Sequence, residues 1–364
     1  MDYKIYREIG EERRKSAISD AIDTFILNKV SRESRILIKT DLIGELNSPE
    51  TGSTVNVELI DTIVSELNQK ISPKKIYIGE SEKTSSLKEV FERQGYVELE
   101  TKYSNVQLVN LSRGKIVKTN LDNPRILRNV SIPEIALICD CIINVSTLKR
   151  HLLERISGNL ANLYEFISKP ETRIKLRPFL KEAIFDLNSL LMPSLNIIDM
   201  NVALEGYGPI YGEPKKVGIL VVGDEPLITD LVATKLIGEN YKKVPHLKYM
   251  LNRMEDKKSY LKKIENVSRS TELDFIKRKD YLMLRLSNSL NRFSIKIENF
   301  GFLVFLAAQA FISIGGKNLI KGRWVPLKDY YLIAKKVLNT VEDCTDSLAW
   351  KIVINKHVVE ESIS

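Results

Sequence analysis

The chain has 364 residues, 43% of them hydrophobic and 28% charged, with a net charge of +8. That length suits one large or two modest cores, and the composition excludes a fibrous or low-complexity polypeptide. Three cysteines (Cys139, Cys141 and Cys344) are too few for a disulfide framework, and Met1 to Gly10 lacks the apolar stretch of a secretory signal, so the sequence predicts a cytoplasmic protein in a reducing compartment.

The first two thirds alternate short β-like runs with helical periodicity. Arg35 to Lys39 reads as a strand, Val55 to Leu67 as an amphipathic helix and Lys75 to Gly79 as a second strand. Ser86-Leu-Lys-Glu89 has the spacing of a capping box opening a helix that stops near Gly95. Further strands are predicted at Val106–Asn110, Ile142–Val145, Leu195–Ile198 and Val217–Val222. Cys139 and Cys141 fall on one face of an apolar segment and read as core residues. Ile- and Val-rich strands separated by helices imply an α/β fold, a mostly parallel sheet covered by helices on both faces.

Near residue 240 the pattern changes, which divides the chain into an α/β domain at 1–240 and a basic, mainly helical C-terminal region at 241–364. Between Lys242 and Lys336 there are 21 Lys and Arg against 8 Asp and Glu, so this stretch carries more than the whole net charge and the rest of the chain is net acidic. The apolar run from Phe300 to Gly315 is interrupted by Gln309 and Ser313. It is short of the roughly 20 residues that span a bilayer, so no transmembrane segment is predicted.

Candidate chemistry gathers where strands end. Lys39 and Asp41 follow the first strand, and Glu80 the second. Lys149 and His151 lie past the fourth, where an apolar run gives way to charge. Asp199 closes the fifth, followed by Glu205-Gly206-Tyr-Gly208-Pro209 and Gly212; Asp224 follows the sixth, before a helix with Pro226 and Asp230. In an open parallel sheet such positions meet at the carboxyl ends of the strands, where ligands bind. Carboxylates there hold a divalent cation or move a proton, and lysine and histidine add a cation or an acid/base group. The backbone N–H groups of the glycine loop can face an anion. Each item has a plainer reading: Asp224 before Pro226 is also a helix N-cap signature, and a Gly-x-Gly-Pro loop is also a simple turn. No Gly-Lys-Ser/Thr follows that loop, so it is not a Walker loop. It does not join the first strand to its helix, so it is not the dinucleotide fingerprint either.

At these residues the chain resembles the family called domain of unknown function 362. That family shows Ile-Asn-Val-Pro-x-x-Lys-x-His and then Thr-Gly-x-x-Lys-Asn-Leu. Here the segments read Ile143-Asn144-Val145-Ser146-Thr-Leu-Lys149-Arg-His151 and Ser157-Gly158-Asn-Leu-Ala161-Asn162-Leu163. The family's Asp-x-x-x-x-x-Glu-Gly-x-Gly-Pro-x-x-Gly run matches Asp199 through Gly212, and its Asp-Pro-x-x-x-Asp element matches Asp224, Pro226 and Asp230 with one extra residue. The chain departs at Ser146, at Ala161 in place of the second lysine and at Asp41 in place of an asparagine. The resemblance implies an α/β fold and a ligand site that includes Asn162, and it names no reaction. Many relatives carry ferredoxin-like cysteine runs. This chain has none, so no iron–sulfur cluster is expected.

The sequence therefore predicts an enzyme or small-molecule-binding protein that takes an anionic small molecule, with a divalent metal of unspecified identity. Lys149, His151 and Glu205 are the catalytic candidates. Lys39, Asp41, Glu80, Asn162, Gly206, Gly208 and Pro209 are the ligand-binding ones, and Asp199, Asp224 and Asp230 are the metal ligands. The alternative puts function in the basic region 242–336, which would bind nucleic acid, with Tyr281, Phe293, Trp324, Tyr330 and Tyr331 as stacking residues, or an acidic membrane surface through 302–314 and its neighbouring lysines.

Overall fold

A computed structural model describes residues 1–44, 47–83, 86–151, 154–206, 208–209 and 212–267. The chain opens with β1 (Tyr3–Arg7), α1 (Glu11–Phe25) and β2 (Arg35–Lys39), then α2 (Val57–Lys70), β3 (Lys75–Glu80), α3 (Leu87–Arg93), α4 (Val97–Lys102) and β4 (Val106–Asn110). A two-stranded ribbon, β5 (Ile116–Asn120) with β6 (Asn129–Pro133), and α5 (Ile135–Ile138) lead into the long β7 (Cys141–His151). Next come β8 (Arg155–Ser157), α6 (Asn159–Leu163), α7 (Pro170–Lys175), α8 (Leu180–Leu190), β9 (Leu195–Glu205), β10 (Glu213–Gly223) and α9 (Pro226–Leu236). The described part closes with α10 (Pro245–Leu251) and α11 (Lys257–Glu265).

The main sheet has the order β1-β10-β9-β7-β2-β3-β4, with β8 on the overhang of β7. β2, β3, β4, β7 and β9 pair in parallel, whereas β10 runs antiparallel to both β9 and β1. The fold is thus mixed α/β around a mostly parallel centre. Alternation along each strand builds two cores. Ile36 and Ile38 pack on one face with Ile18, Ile22, Ile60 and Ile63 of α1 and α2. Leu37, Ile142 and Ile198 face the other way, onto Leu160, Ile184, Leu231 and Leu247. Strands buried on both faces need the unbroken apolar runs seen here, and each such side chain contributes about 1.5–3 kcal/mol.

Several boundaries differ from the sequence reading for local reasons. α2 begins at Val57 because Asn56 caps it, its side chain accepting the Glu58 N–H at 2.9 Å. Ser86 does precede α3, yet its side chain makes no capping bond. β7 runs to His151 instead of ending at Val145, because its outer half pairs with β8 on one side and β9 on the other. Residues 245–265 pack on the same core: Leu247 and Leu251 of α10, and Tyr260 and Ile264 of α11, join α8 and α9. From 268 onward the basic region, with the apolar run at 300–315 and the candidate stacking aromatics, lies outside the described residues.

Candidate functional site

β2 and β3 end side by side, Lys39 in register with Gly79 and with Asn144 of β7. This places Lys39 and Glu80 at the carboxyl edge of the sheet, and the overhang of β7 adds Lys149. The Lys39 ammonium donates to Glu80 Oε1 (2.7 Å), Asn162 Oδ1 (2.9 Å) and the Thr40 carbonyl (2.6 Å), with Glu165 Oε2 at 3.3 Å. Lys149 donates to Asp41 Oδ2 and to the Ser53 carbonyl (2.8 Å). Lys83 lies among all three acids, 3.0 Å from Glu165, 3.4 Å from Asp41 and 3.8 Å from Glu80. Glu80 is pinned further by the N–H groups of Leu42 and Ser81, both at 2.7 Å. Asn162 is aimed at Lys39 because its amide donates to Asn144 Oδ1 (2.8 Å) and the Val145 carbonyl (3.1 Å).

Three lysines therefore balance three carboxylates. Lys39, Lys149, Asp41 and Glu80 are buried, and only Lys83 (16% exposed) and Glu165 (20%) reach solvent. Burying such charges costs several kcal/mol each before pairing, and the titrations follow from that. Burial pushes Glu80 up to about 7 against the pull of Lys39 and Lys83. Burial also lowers Lys149, although Asp41 opposes the shift. Burial works against charge on Lys83 and Glu165 too, but here the facing charges win: Glu165, Glu80 and Asp41 raise Lys83, while Lys83, Lys39 and Arg173 hold Glu165 below the usual carboxylate range. Groups whose environments drive their titration toward neutrality are suited to moving protons.

Asp41, Glu80 and Glu165 each bring one oxygen within 4.8 Å of the others, a spacing that could hold a metal ion. This is a different set from the predicted ligands. Asp199 lies within β9 instead of at its end, opposite Thr147 and Leu220, and its carboxyl is raised to about 6 by burial, moderated by the Asn201 N–H and Arg14. Asp224 is at the opposite edge of the sheet, because β10 runs antiparallel; it accepts the Asp2 N–H (2.5 Å) and pairs with the Met1 amino group (3.3 Å). Nor is Asp224 the helix cap, since Glu225 holds that position before Pro226.

Asp230 belongs to a second cluster. Its carboxylate accepts the N–H groups of Asn159 (2.7 Å) and Leu160 (3.1 Å) at the start of α6. Gly158 is required there, because a Cβ would lie 2.5 Å from Asp230 Oδ1. Asp230 Oδ2 is 3.8 Å from His246 Nε2, while Glu154 accepts both the backbone N–H (2.8 Å) and Nδ1 (3.0 Å) of His246. Burial disfavours the imidazolium, yet Asp230 and Glu154 outweigh it and raise His246 to about 9. His151 falls on this side: its Nδ1 accepts the Glu154 N–H at 3.1 Å. Among the described residues, no hydrogen bond or ion pair of the lysine cluster reaches His151 or Glu205.

Glu205 ends β9 with Oε2 3.6 Å from Lys215. A Cβ on Gly208 would lie 2.0 Å from the Arg150 carbonyl, so glycine permits that close approach. Gly208 thus lies against β7, and among the described residues no hydrogen bond joins Gly206, Gly208 or Pro209 to the lysine cluster. The sequence reading missed Lys83 and Glu165, the two members at the mouth. Lys83 follows Glu80 by three residues and Glu165 follows Asn162 by three, so proximity in sequence was the available signal. Cys139 and Cys141 are free thiols raised by burial, to about 12 and about 11.

Among the described residues, no helix is long and apolar enough to cross a membrane. The family described as domain of unknown function (DUF362) matches residues 36–235. A thylakoid-associated protein of Synechocystis sp. is 25% identical over 222 residues, covering 58% of this chain and 65% of its own length. Among solved structures, lactate racemase apoprotein from Thermoanaerobacterium thermosaccharolyticum shares 16% identity over 59% of this chain and 55% of that one, with a TM-score of 0.34.

Proposed function

The chain belongs to that family of unknown function, whose match spans all of the lysine cluster, and on this premise we propose that it is an enzyme or small-molecule-binding protein acting at the carboxyl ends of β2, β3 and β7. The observation that carries the reading is the buried meeting of Lys39, Lys83 and Lys149 with Asp41, Glu80 and Glu165, open only at Lys83 and Glu165. A protein built only for stability gains little from such a cluster, because well-packed apolar groups of the same volume do as well or better.

In this reading the ligand is a small anion. Lys83 draws it to the mouth, and Lys39, oriented by Asn162, pairs with it inside. Glu80 supplies a carboxyl that gains and loses a proton near neutral pH, the property of a general acid or base. Lys149, locked on Asp41 and Ser53, forms the floor of the site. If a divalent cation binds, Asp41, Glu80 and Glu165 are its ligands, and it would act as a Lewis acid toward the bound anion. A cytoplasmic setting fits the two unpaired thiols.

Native mass spectrometry and metal analysis of the full chain, purified without chelator or histidine tag, test this directly. The expected result is either a stoichiometric small anion that is lost in Lys83→Ala and retained in His151→Ala, or a metal ion that is lost in Asp41→Asn and retained in His151→Ala. An apo mass that stays unchanged with added divalent ions and small carboxylates, in protein with a native melting transition, rejects the proposal.

A further inference from the structure

We infer that the Glu165 side chain is an internal placeholder for the ligand, which is a monocarboxylate: its carboxylate displaces that of Glu165 from Lys83 and Lys39. This rests on the small-molecule site proposed above and names what that site takes.

The three acids of the cluster are not held alike. Both oxygens of Glu80 accept backbone N–H groups at 2.7 Å, and Oε1 also takes Lys39. Asp41 is locked from below by the buried Lys149. Among the described residues, neither oxygen of Glu165 takes a backbone N–H; the carboxylate is held by side chains alone, Lys83 (3.0 Å), Lys39 at the long distance of 3.3 Å and the neighbouring Glu80 carboxyl. It is also the most exposed of the three carboxylates. Its main chain, by contrast, is anchored: the Glu165 carbonyl accepts from Ser81 Oγ (2.6 Å) and Arg173 (3.1 Å). The side chain can therefore leave while the backbone stays.

The cations are arranged for that exchange. Lys39 already spends three N–H bonds on Thr40, Glu80 and Asn162, so the Glu165 contact is a fourth and its release costs little. Lys83 keeps Asp41 and Glu80 as neighbours when Glu165 moves. Charge decides the ligand class. With three ammonium groups against three carboxylates, replacing one carboxylate by another leaves the buried sum unchanged. A neutral ligand would leave a lysine uncompensated, and a phosphate dianion would bring one more negative charge than the carboxylate it replaces. Either imbalance in a buried site costs several kcal/mol.

The test is titration of the full chain with acetate and, separately, inorganic phosphate, at constant chloride, by calorimetry and by NMR. Glu165→Ala removes the placeholder, and the expected result is acetate binding at least ~10-fold tighter than in the wild type, with no such gain for phosphate and with the gain abolished by adding Lys83→Ala. The factor corresponds to 1.4 kcal/mol. If Glu165→Ala melts early, Glu165→Gln keeps the shape, removes the charge and must show the same gain. Equal acetate affinity in wild type and variant overturns the inference, and an equal gain for phosphate overturns the carboxylate assignment. If the anion seen by native mass spectrometry is still lost in Lys83→Ala, the site stands and only the placeholder falls; if nothing is retained either, both fall.

Discussion

Two buried charge clusters flank α6, and they differ in one respect that sorts their roles. The cluster of Lys39, Lys83 and Lys149 with Asp41, Glu80 and Glu165 has a mouth, formed by Lys83 and Glu165. The cluster of Glu154, His246 and Asp230 has none, since His246 and Asp230 are completely buried. Both carry the desolvation cost of buried ions. The sealed cluster offsets it with local order: Asp230 fixes the first turn of α6, and Glu154 ties the residues after β7 to the start of α10. The open cluster ties down backbone too, at Thr40, Leu42, Ser53 and Ser81, but it keeps two charges at the solvent boundary, which is the arrangement a ligand needs. Damage to the sealed cluster should appear as lost stability, and damage to the mouth as lost binding.

The largest effect separating the two is expected for Asp230→Ala. It removes the acceptor of two buried backbone N–H groups and one counter-charge of His246. Orphaned donors cost about 1–3 kcal/mol each, so the variant should lose roughly 2–6 kcal/mol in urea unfolding. A loss below about 1 kcal/mol would show that α6 does not depend on this carboxylate, and the contrast between the clusters would collapse.

A second effect is pH-dependent and belongs to His246. Its folded-state value of about 9 lies above the ordinary 6.5. A group raised in this way contributes stability that is fully present below pH 6.5 and lost as pH rises through 9, at most about 3 kcal/mol. Glu80, raised to about 7 from 4.5, has the same sign in a lower window, its contribution fading between pH 4.5 and 7. The difference between wild type and His246→Gln isolates the histidine. Urea midpoints measured from pH 6 to 9.5 should converge at the alkaline end, and parallel curves would remove His246 from the account.

Legibility in the sequence followed the same division between what is local and what is not. β2 and β4 match the strands read from the sequence, residue for residue: β2 is buried on both faces and shows it as a run of Ile and Leu, while the edge strand β4, buried only at Val106, still shows Val, Leu and Val. Lys39, Asp41, Glu80, Lys149 and Asn162 were legible as candidates from strand ends and a family motif, and the structure brings these five together. The outer half of β7 was not legible. Ser146, Lys149 and Arg150 look like a loop, and only the partners Asn159, Asp41 and Glu239, supplied from distant segments, let them be buried in a strand. The direction of β10 was likewise hidden, since hydrophobic alternation carries no sign, and that one reversal moves Asp224 to the far edge. His151 and Asp230 looked equivalent to Lys149 along the chain, yet hydrogen bonding assigns them to the sealed cluster.

The smallest stability effect is expected at the mouth, where it carries the most functional information. Lys83→Ala removes a partly exposed ammonium whose three carboxylate neighbours stay partnered by Lys39, Lys149 or the backbone. Ion pairs near the surface are worth about 0–1 kcal/mol, and although Lys83 is more enclosed than most, Glu80 can take up a proton near neutral pH to relieve the excess negative charge. The unfolding midpoint at pH 6 should therefore fall by no more than the equivalent of ~1 kcal/mol, while retention of any bound anion is lost. The penalty should grow as the pH is raised past 7, where Glu80 ionises without its second cation. A pH-independent penalty of several kcal/mol would mean that Lys83 is a structural strut like Asp230, and the open cluster would then have to be read as a second sealed one.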